Sequence, residues 1–116
     1  MARNNWHIER DEDRLTLARR LPSRFDFAVE AQFPAVNRLR LAQQIRQDLW
    51  RRLRALRGYS PVIEVMRDGT GLRVRAGGQV DAKFSRSLAE ARAHDVLTNA
   101  ANHKRWVRYA SQGLTT

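Results

Sequence analysis

Residues 24–33 have the sequence RFDFAVEAQF, in which a phenylalanine, valine or alanine occupies every second position. In an extended strand, Phe25, Phe27, Val29, Ala31 and Phe33 would all lie on one side. Alternation of this kind is typical of a strand that buries one face. We therefore predict a strand over 24–33 whose phenylalanine face packs against helices.

Residues 34–57 follow with PAVNRLRLAQQIRQDLWRRLRALR, a run rich in helix-forming residues between Pro34 and Gly58. Proline suits the first turn of a helix and glycine its C-terminal stop. The apolar residues fall within one broad arc of this helix: Leu39, Ala42, Ile45, Leu49, Trp50, Leu53 and Leu56. The opposite side carries a stripe of basic and amide side chains: Arg40, Gln44, Gln47, Arg51 and Arg54.

A hairpin is predicted next, with strands over 62–66 and 72–76 joined by the turn sequence Asp68-Gly69-Thr70-Gly71. Gly77-Gly78 is expected to end it. A strand, a helix and a hairpin in this order predict a small three-stranded sheet. A right-handed crossover would place the first strand parallel to one strand of the hairpin.

The two ends of the chain are predicted to add helices. Residues 84–110 change their apolar face midway, which favours two helices over one, with Asp95 capping the second. Residues 11–21 form a short helix candidate, although Leu15 and Leu17 also fit a strand. Residues 1–5 and 112–116 are predicted to be disordered. The expected fold is a single α+β domain over 1–116, a two-layer sandwich in which the three-stranded sheet packs against the long amphipathic helix and one or two C-terminal helices.

Positive charge is the strongest compositional signal. The 116 residues include 22 Lys or Arg against 12 Asp or Glu, which gives a net charge of +10. Residues 34–60 hold seven arginines against Asp48, and residues 83–116 hold six basic residues against Glu90 and Asp95. The rest of the chain is balanced, so the excess lies on two predicted helical regions and favours an anionic partner.

Two groups of residues are candidates for contact with such a partner. The first is the stripe of Arg40, Gln44, Gln47, Arg51 and Arg54, which Arg73 and Arg75 of the hairpin would extend. The second is 104–109, in which Lys104, Arg105 and Arg108 would neutralise phosphates and Trp106 or Tyr109 would stack on a base. The alternatives are a solvated helix face for the first group and, for the second, aromatic side chains in the core.

Arg46 is an exception, because the helical periodicity places it inside the apolar arc. An unpaired buried guanidinium is costly. We therefore predict a structural ion pair with a carboxylate such as Glu30 or Glu64. The alternatives are a side chain that extends past Trp50 to solvent, or an arc that forms part of an oligomer interface.

Other functions find little support in the residues. Cysteine is absent and no His-x-x-x-His pair occurs, which argues against a metal site, a cofactor or a thiol nucleophile. No apolar run is long enough to span a bilayer, so we expect a cytoplasmic protein that does not insert into a membrane. We also expect no catalytic residues. The favoured hypothesis is a DNA- or RNA-binding domain acting through phosphate contacts. The alternative is an adaptor or assembly module that docks on an acidic protein or self-associates; the oligomeric state stays open.

Overall fold

The computed structural model describes residues 6–112 and has an α+β fold. One five-stranded sheet has the strand order β1-β2-β4-β5-β3, and every neighbouring pair is antiparallel. The elements in chain order are β1 (His7–Arg10), β2 (Arg14–Ala18), β3 (Phe27–Pro34), α1 (Arg38–Leu53), β4 (Tyr59–Asp68), β5 (Gly71–Val80), α2 (Arg86–Thr98) and α3 (Ala100–Ser111). The predicted three-stranded sheet is therefore wrong, since two further strands belong to it.

The two additional strands form an N-terminal hairpin where a short helix was expected. Leu15 and Leu17 are buried because β2 pairs with β4, which places them opposite Val65 and Ile63. The acidic residues form the turn: the Asp11 carboxylate accepts hydrogen bonds from the backbone N–H groups of residues 13 and 14. Sheet pairing thus decides between the two periodicities that this segment satisfies equally.

The strand–helix–hairpin unit is present, but β3 and α1 are shorter than expected and the two hairpin strands are longer. Strands β3 and β4 both run antiparallel to β5, which lies between them, so they point in the same direction. Helix α1 begins after Asn37, whose side chain accepts a hydrogen bond from the Arg40 N–H at 2.9 Å. Because Asn37 caps the helix, Pro34 remains in the strand and the helix does not begin there.

Gly77 and Gly78 do not end the hairpin; they lie inside β5. A Cβ on Gly77 would come within 2.1 Å of the Phe27 carbonyl oxygen, and one on Gly78 within 2.3 Å of the Ser60 carbonyl oxygen. Glycine is therefore needed here for close backbone approach and not for chain reversal.

The three helices pack on one face of the sheet. Helix α1 lies over β4 and β2, α2 lies over β3, and α3 packs on α1 and α2. The phenylalanines of β3 face this layer: the Phe27 ring is 5.9 Å from that of Phe84, and the Phe33 ring stacks on His103 at 4.4 Å. The core therefore lies between the sheet and the helices, as the alternation in β3 predicts.

The second face of the sheet is crossed by residues 19–26, which join β2 to β3 at the far edge. Phe25 lies in this segment, and its ring centroid is 4.4 Å from Cζ of Arg75, on the face opposite the helices. The expectation that Phe25 shares a side with Phe27 is therefore wrong. The Asp26 carboxylate anchors the segment by accepting hydrogen bonds from Arg24 and from the Val80 N–H, and these bonds lower its pKa.

The C-terminal region forms two helices, and the residue that separates them is Asn99. Its side chain accepts a hydrogen bond from the Asn102 N–H at 2.9 Å, whereas Asp95 lies inside α2. Gln112, which the sequence analysis placed in a disordered tail, is the C-cap of α3. The predictions of disorder for 1–5 and 113–116 fall outside the described residues.

Candidate functional site

Helices α1 and α3 lie side by side and run in opposite directions. At one end, the backbone N–H of Asn37 donates to the Ala110 carbonyl at 3.1 Å, and Cζ of Arg40 is 5.7 Å from the Tyr109 ring centroid. At the other end, the Asp48 carboxylate of α1 accepts a hydrogen bond from Arg105 of α3 at 2.7 Å. The outward faces of the two helices are therefore one continuous surface, which we call the α1–α3 surface.

Asp48 is the acidic residue at the centre of this surface, and its side chain is only 12% exposed. One carboxylate oxygen accepts hydrogen bonds from Arg105 at 2.7 Å and from Nε1 of Trp106 at 2.6 Å. The other lies 3.4 Å from Nη1 of Arg51. A single carboxylate thus holds two arginines and the buried indole of Trp106, which fixes the distance between the helices.

Most of the basic residues predicted from the sequence lie on α1 and α3, where Asp48 joins Arg51 to Arg105; Lys104 and Arg108 lie beside Pro34 of β3. Arg40, Gln44, Gln47 and Arg51 lie along α1, and Lys104, Arg105 and Arg108 lie along α3, while Arg54 is the exposed C-cap residue of α1. Helices α1 and α3 contain eight Lys or Arg residues and, of acids, Asp48 alone. Within residues 6–112, Arg54, Lys104 and Arg108 form no salt bridge, so their charges are open to a partner.

The arginines of the hairpin do not extend this surface. Arg73 and Arg75 lie on the face of the sheet opposite the helices, because their neighbours Val74 and Ala76 point into the core. In the sheet register, Arg75 lies between Glu30 and Glu64, and its guanidinium is over the Phe25 ring. The expectation that the hairpin continues the basic stripe is wrong, because the two groups are separated by the thickness of the sheet.

Trp106 does not fit the role predicted for it. Its side chain is 0% exposed and is the largest fully buried side chain among the described residues, so it cannot stack on a base. Its neighbour one turn later, Ala110, is also buried, and this i, i+4 apolar pair is the signal that identifies the inner face of α3. Tyr109 is 39% exposed and remains accessible beside Arg40.

Arg46 has a different partner from the carboxylate predicted. Its Cζ lies 4.7 Å from the Trp6 ring centroid, a cation–π contact, and no salt bridge to it occurs within residues 6–112. Glu30 and Glu64 point to the other face of the sheet, and Glu64 pairs with Arg14 at 3.7 Å. Burial, with a smaller contribution from the charge of Arg19, lowers the pKa of Arg46. Stacking on an aromatic ring replaces the ion pair here.

Three further arginines were not predicted as site residues from the sequence. Arg10, Arg38 and Arg67, together with the predicted Arg40, line a cleft of about 690 Å³ beside the N-terminus of α1. They come from β1, α1 and β4, so no local pattern links them. The feature that could have indicated two of them is their position at strand ends. Arg10 and Arg67 lie at the ends of β1 and β4, where a side chain on the helix side of the sheet extends beyond the core.

Other kinds of site find no support in the part of the chain that the structure describes. Residues 6–112 contain no group of three or more His, Asp or Glu residues able to hold a metal ion. Within the same range, none of the helices has both the length and the apolar character needed to cross a membrane. Comparison of the chain with protein-family models, with curated proteins and with solved structures gives no significant match.

Proposed function

We propose that this domain binds nucleic acid through phosphate contacts made by the α1–α3 surface. The observation that carries the proposal is the Asp48 cluster, in which Arg51 of α1 and Arg105 of α3 share one carboxylate. It supports a single basic surface in place of two separate basic helices. A continuous surface of one sign attracts a polyanion more strongly than the same charges on different sides of a molecule.

The chemistry of this surface favours backbone contact over base reading. Arginine forms bidentate hydrogen bonds to phosphate and retains its charge at all physiological pH values. Gln44 and Gln47 lie between the arginines of α1 and add neutral hydrogen-bonding groups. Since Trp106 is buried, Tyr109 is the aromatic side chain that this surface offers for stacking. We infer binding with little sequence preference, to DNA or RNA, in the cytoplasm; the cysteine-free sequence suits that compartment.

The direct test is the salt dependence of binding. Fluorescence anisotropy with labelled single- and double-stranded DNA and RNA of 20 nucleotides would be measured from 50 to 300 mM KCl. If about five cations contact phosphates, the slope of log K against log salt is roughly −3 to −5. An affinity that does not change with salt would refute phosphate contact as the source of binding.

Three charge-matched variants locate the binding surface. Arg54→Gln and Arg108→Gln on the α1–α3 surface should each weaken binding and reduce the salt slope by about 1. Arg73→Gln removes the same charge from the opposite face of the sheet, where Arg73 forms no salt bridge within residues 6–112. If Arg73→Gln weakens binding as much as the other two, the α1–α3 surface is not the site.

A protein partner is the second candidate, favoured by a separate observation. Trp50 is 42% exposed and stacks on Tyr59, beside Arg19 and Arg46. Exposed tryptophan next to arginine is typical of the residues that dominate protein interfaces. Light scattering after size exclusion at several protein concentrations tests for self-association. Purification at low salt, with Trp50→Ala as the matched variant, tests for an acidic protein partner.

A further inference from the structure

The cleft beside the N-terminus of α1 concentrates positive charge from three elements. Arg38 and Arg40 belong to the first turn of the helix, Arg10 to β1 and Arg67 to β4. Arg10 and Arg67 extend from the helix side of the sheet, because their register partners are the buried Leu15 and Leu72. The guanidinium groups therefore approach one space from the sheet and from the helix.

These arginines lack the counter-charges that other arginines of the domain have. Within residues 6–112, none of the four forms a salt bridge, whereas Arg20, Arg24 and Arg105 do. Nη1 of Arg38 is buried and has no hydrogen-bond partner among the described residues. Backbone hydrogen bonds from residues 14 and 13, and to a smaller extent the charge of Arg38, lower the pKa of Asp11, so this carboxylate already has partners. None of the acidic residues within 6–112 lines the cleft. A buried donor without a partner points to a missing acceptor.

The helix adds to the same field. Helix α1 has 16 residues and no acidic residue in its first turn. Its positive end therefore borders the cleft without an acidic side chain in the first turn, although the Asn37 side chain accepts a hydrogen bond from the Arg40 N–H. Arginines on several sides together with a helix N-terminus form a favourable environment for a phosphate group.

We propose that this cleft binds a phosphate monoester. A dianionic terminal phosphate has three free oxygens and one substituent, so it can enter a cleft that a phosphodiester inside a strand cannot enter as deeply. The volume of about 690 Å³ exceeds that of a phosphate group and lies in the range of small-molecule sites. Tyr109 and Val36 line the same cleft and offer apolar contact to the group that the phosphate carries.

Two sources supply this chemistry: the phosphorylated end of a nucleic-acid strand, or a free small ester such as a mononucleotide. Arg40 and Tyr109 belong both to the cleft and to the α1–α3 surface, so a bound strand could end in the cleft. The strand-end source rests on the proposed function, whereas the free-ester source does not.

The experiment titrates the ¹⁵N-labelled full chain with adenosine 5′-monophosphate and, as the uncharged control, adenosine, and monitors the arginine Nε–Hε signals. In parallel, anisotropy compares oligonucleotides of one sequence that carry a 5′-phosphate, a 3′-phosphate or no terminal phosphate. The double variant Arg38→Gln/Arg67→Gln tests the cleft. The charge-matched control is Arg57→Gln/Arg73→Gln, because both of these arginines are exposed and neither lines the cleft. Arg10→Gln/Arg40→Gln serves as a second cleft variant if the first fails to fold by circular dichroism.

We expect saturable binding of the monophosphate but not of adenosine, with a loss of about tenfold or more in the cleft variant and little change in the control. Tighter binding of one phosphorylated oligonucleotide identifies a strand end as the source; equal binding of all three identifies the free ester. The proposal is overturned if the monophosphate does not bind and terminal phosphates have no effect on oligonucleotide binding. It is also overturned if the cleft variant binds the monophosphate and the phosphorylated oligonucleotides as tightly as the control variant does. Failure of every oligonucleotide to bind refutes the proposed function alone, provided that the monophosphate still binds in the cleft.

Discussion

Replacement of Asp48 by alanine should lower stability and strengthen the binding of polyanions, two effects of opposite sign from one change. Nε1 of Trp106 donates to Asp48 at 2.6 Å in a site with 0% exposure of the indole. Loss of the acceptor leaves a buried donor unsatisfied, which costs about 1–3 kcal/mol. The Arg51 and Arg105 side chains are more than half exposed, so their two ion pairs with Asp48 together contribute at most about 1 kcal/mol.

The expected destabilisation of Asp48→Ala is therefore about 1–4 kcal/mol. For a domain of this size, that lowers the melting temperature by roughly 4–16 °C. Asp48→Asn keeps an oxygen that can accept from Trp106 and should lose only about 1 kcal/mol. Thermal and urea unfolding followed by far-ultraviolet circular dichroism measure these differences.

Asp95→Ala is the matched control, because it removes the same charge from an exposed position of α2. Its effect on stability should stay within about 0.5 kcal/mol. Removal of the Asp48 charge should also tighten nucleic-acid binding about twofold at low salt, which the stably folded Asp48→Asn variant measures. If Asp48→Ala unfolds at the same temperature as Asp95→Ala, the Asp48 cluster does not hold the two helices together and the reasoning fails.

Three further predictions concern the sheet and its pH dependence. The Tyr59 hydroxyl donates a hydrogen bond to the Gly77 carbonyl at 3.0 Å in the core, and burial raises the pKa of this hydroxyl. Tyr59 therefore ionises first in the unfolded chain, and the free energy of unfolding should fall above about pH 10. In Tyr59→Phe, urea titrations should not show this part of the alkaline loss. Gly77→Ala should lower the free energy of unfolding by more than about 2 kcal/mol, because the new Cβ would clash with the Phe27 carbonyl oxygen. Gly69→Ala should lower it by about 1 kcal/mol in the same assay, since Gly69 has open space around it and only its positive φ opposes a side chain. The lowered pKa of Asp26 stabilises the fold above about pH 4 and is lost as the carboxyl protonates, so the stability difference between the wild type and Asp26→Asn should shrink in acid; a constant difference would contradict the hydrogen bonds assigned to it.

The sequence predicts the elements whose patterns are unambiguous. The alternation in β3 and the turn at Asp68–Gly71 have one interpretation, and both appear in the structure. The apolar arc of α1 is buried in part, since Trp50 is 42% exposed and Leu56 lies beyond the end of the helix. Leu15 and Leu17 satisfy helix and strand periodicities equally, and only pairing with β4, about 50 residues away, decides between them. Local pattern alone therefore could not predict the five-stranded sheet.

For the candidate site too, the sequence predicts what belongs to one helix but not what tertiary packing brings together. The basic stripe of α1 is a property of one helix and is visible in the sequence, but the neighbour that extends it is set by tertiary packing. Arg105 joins the stripe through Asp48, while Arg73 and Arg75 are removed to the other face of the sheet. The cleft that contains Arg10 and Arg67 exists only after three elements have come together, so no spacing in the chain indicates it.

The strand order has a consequence for how the chain reaches this fold. Only β1–β2 and β4–β5 are hairpins of neighbours in sequence, while β2 with β4 and β3 with β5 join segments separated by about 40–50 residues. Loops of that length must close before those ladders contribute any stability, which slows the search for the native topology. We expect the β4–β5 hairpin to form early as a template and the N-terminal hairpin to dock last, with overall folding in milliseconds to seconds, a range that stopped-flow fluorescence covers.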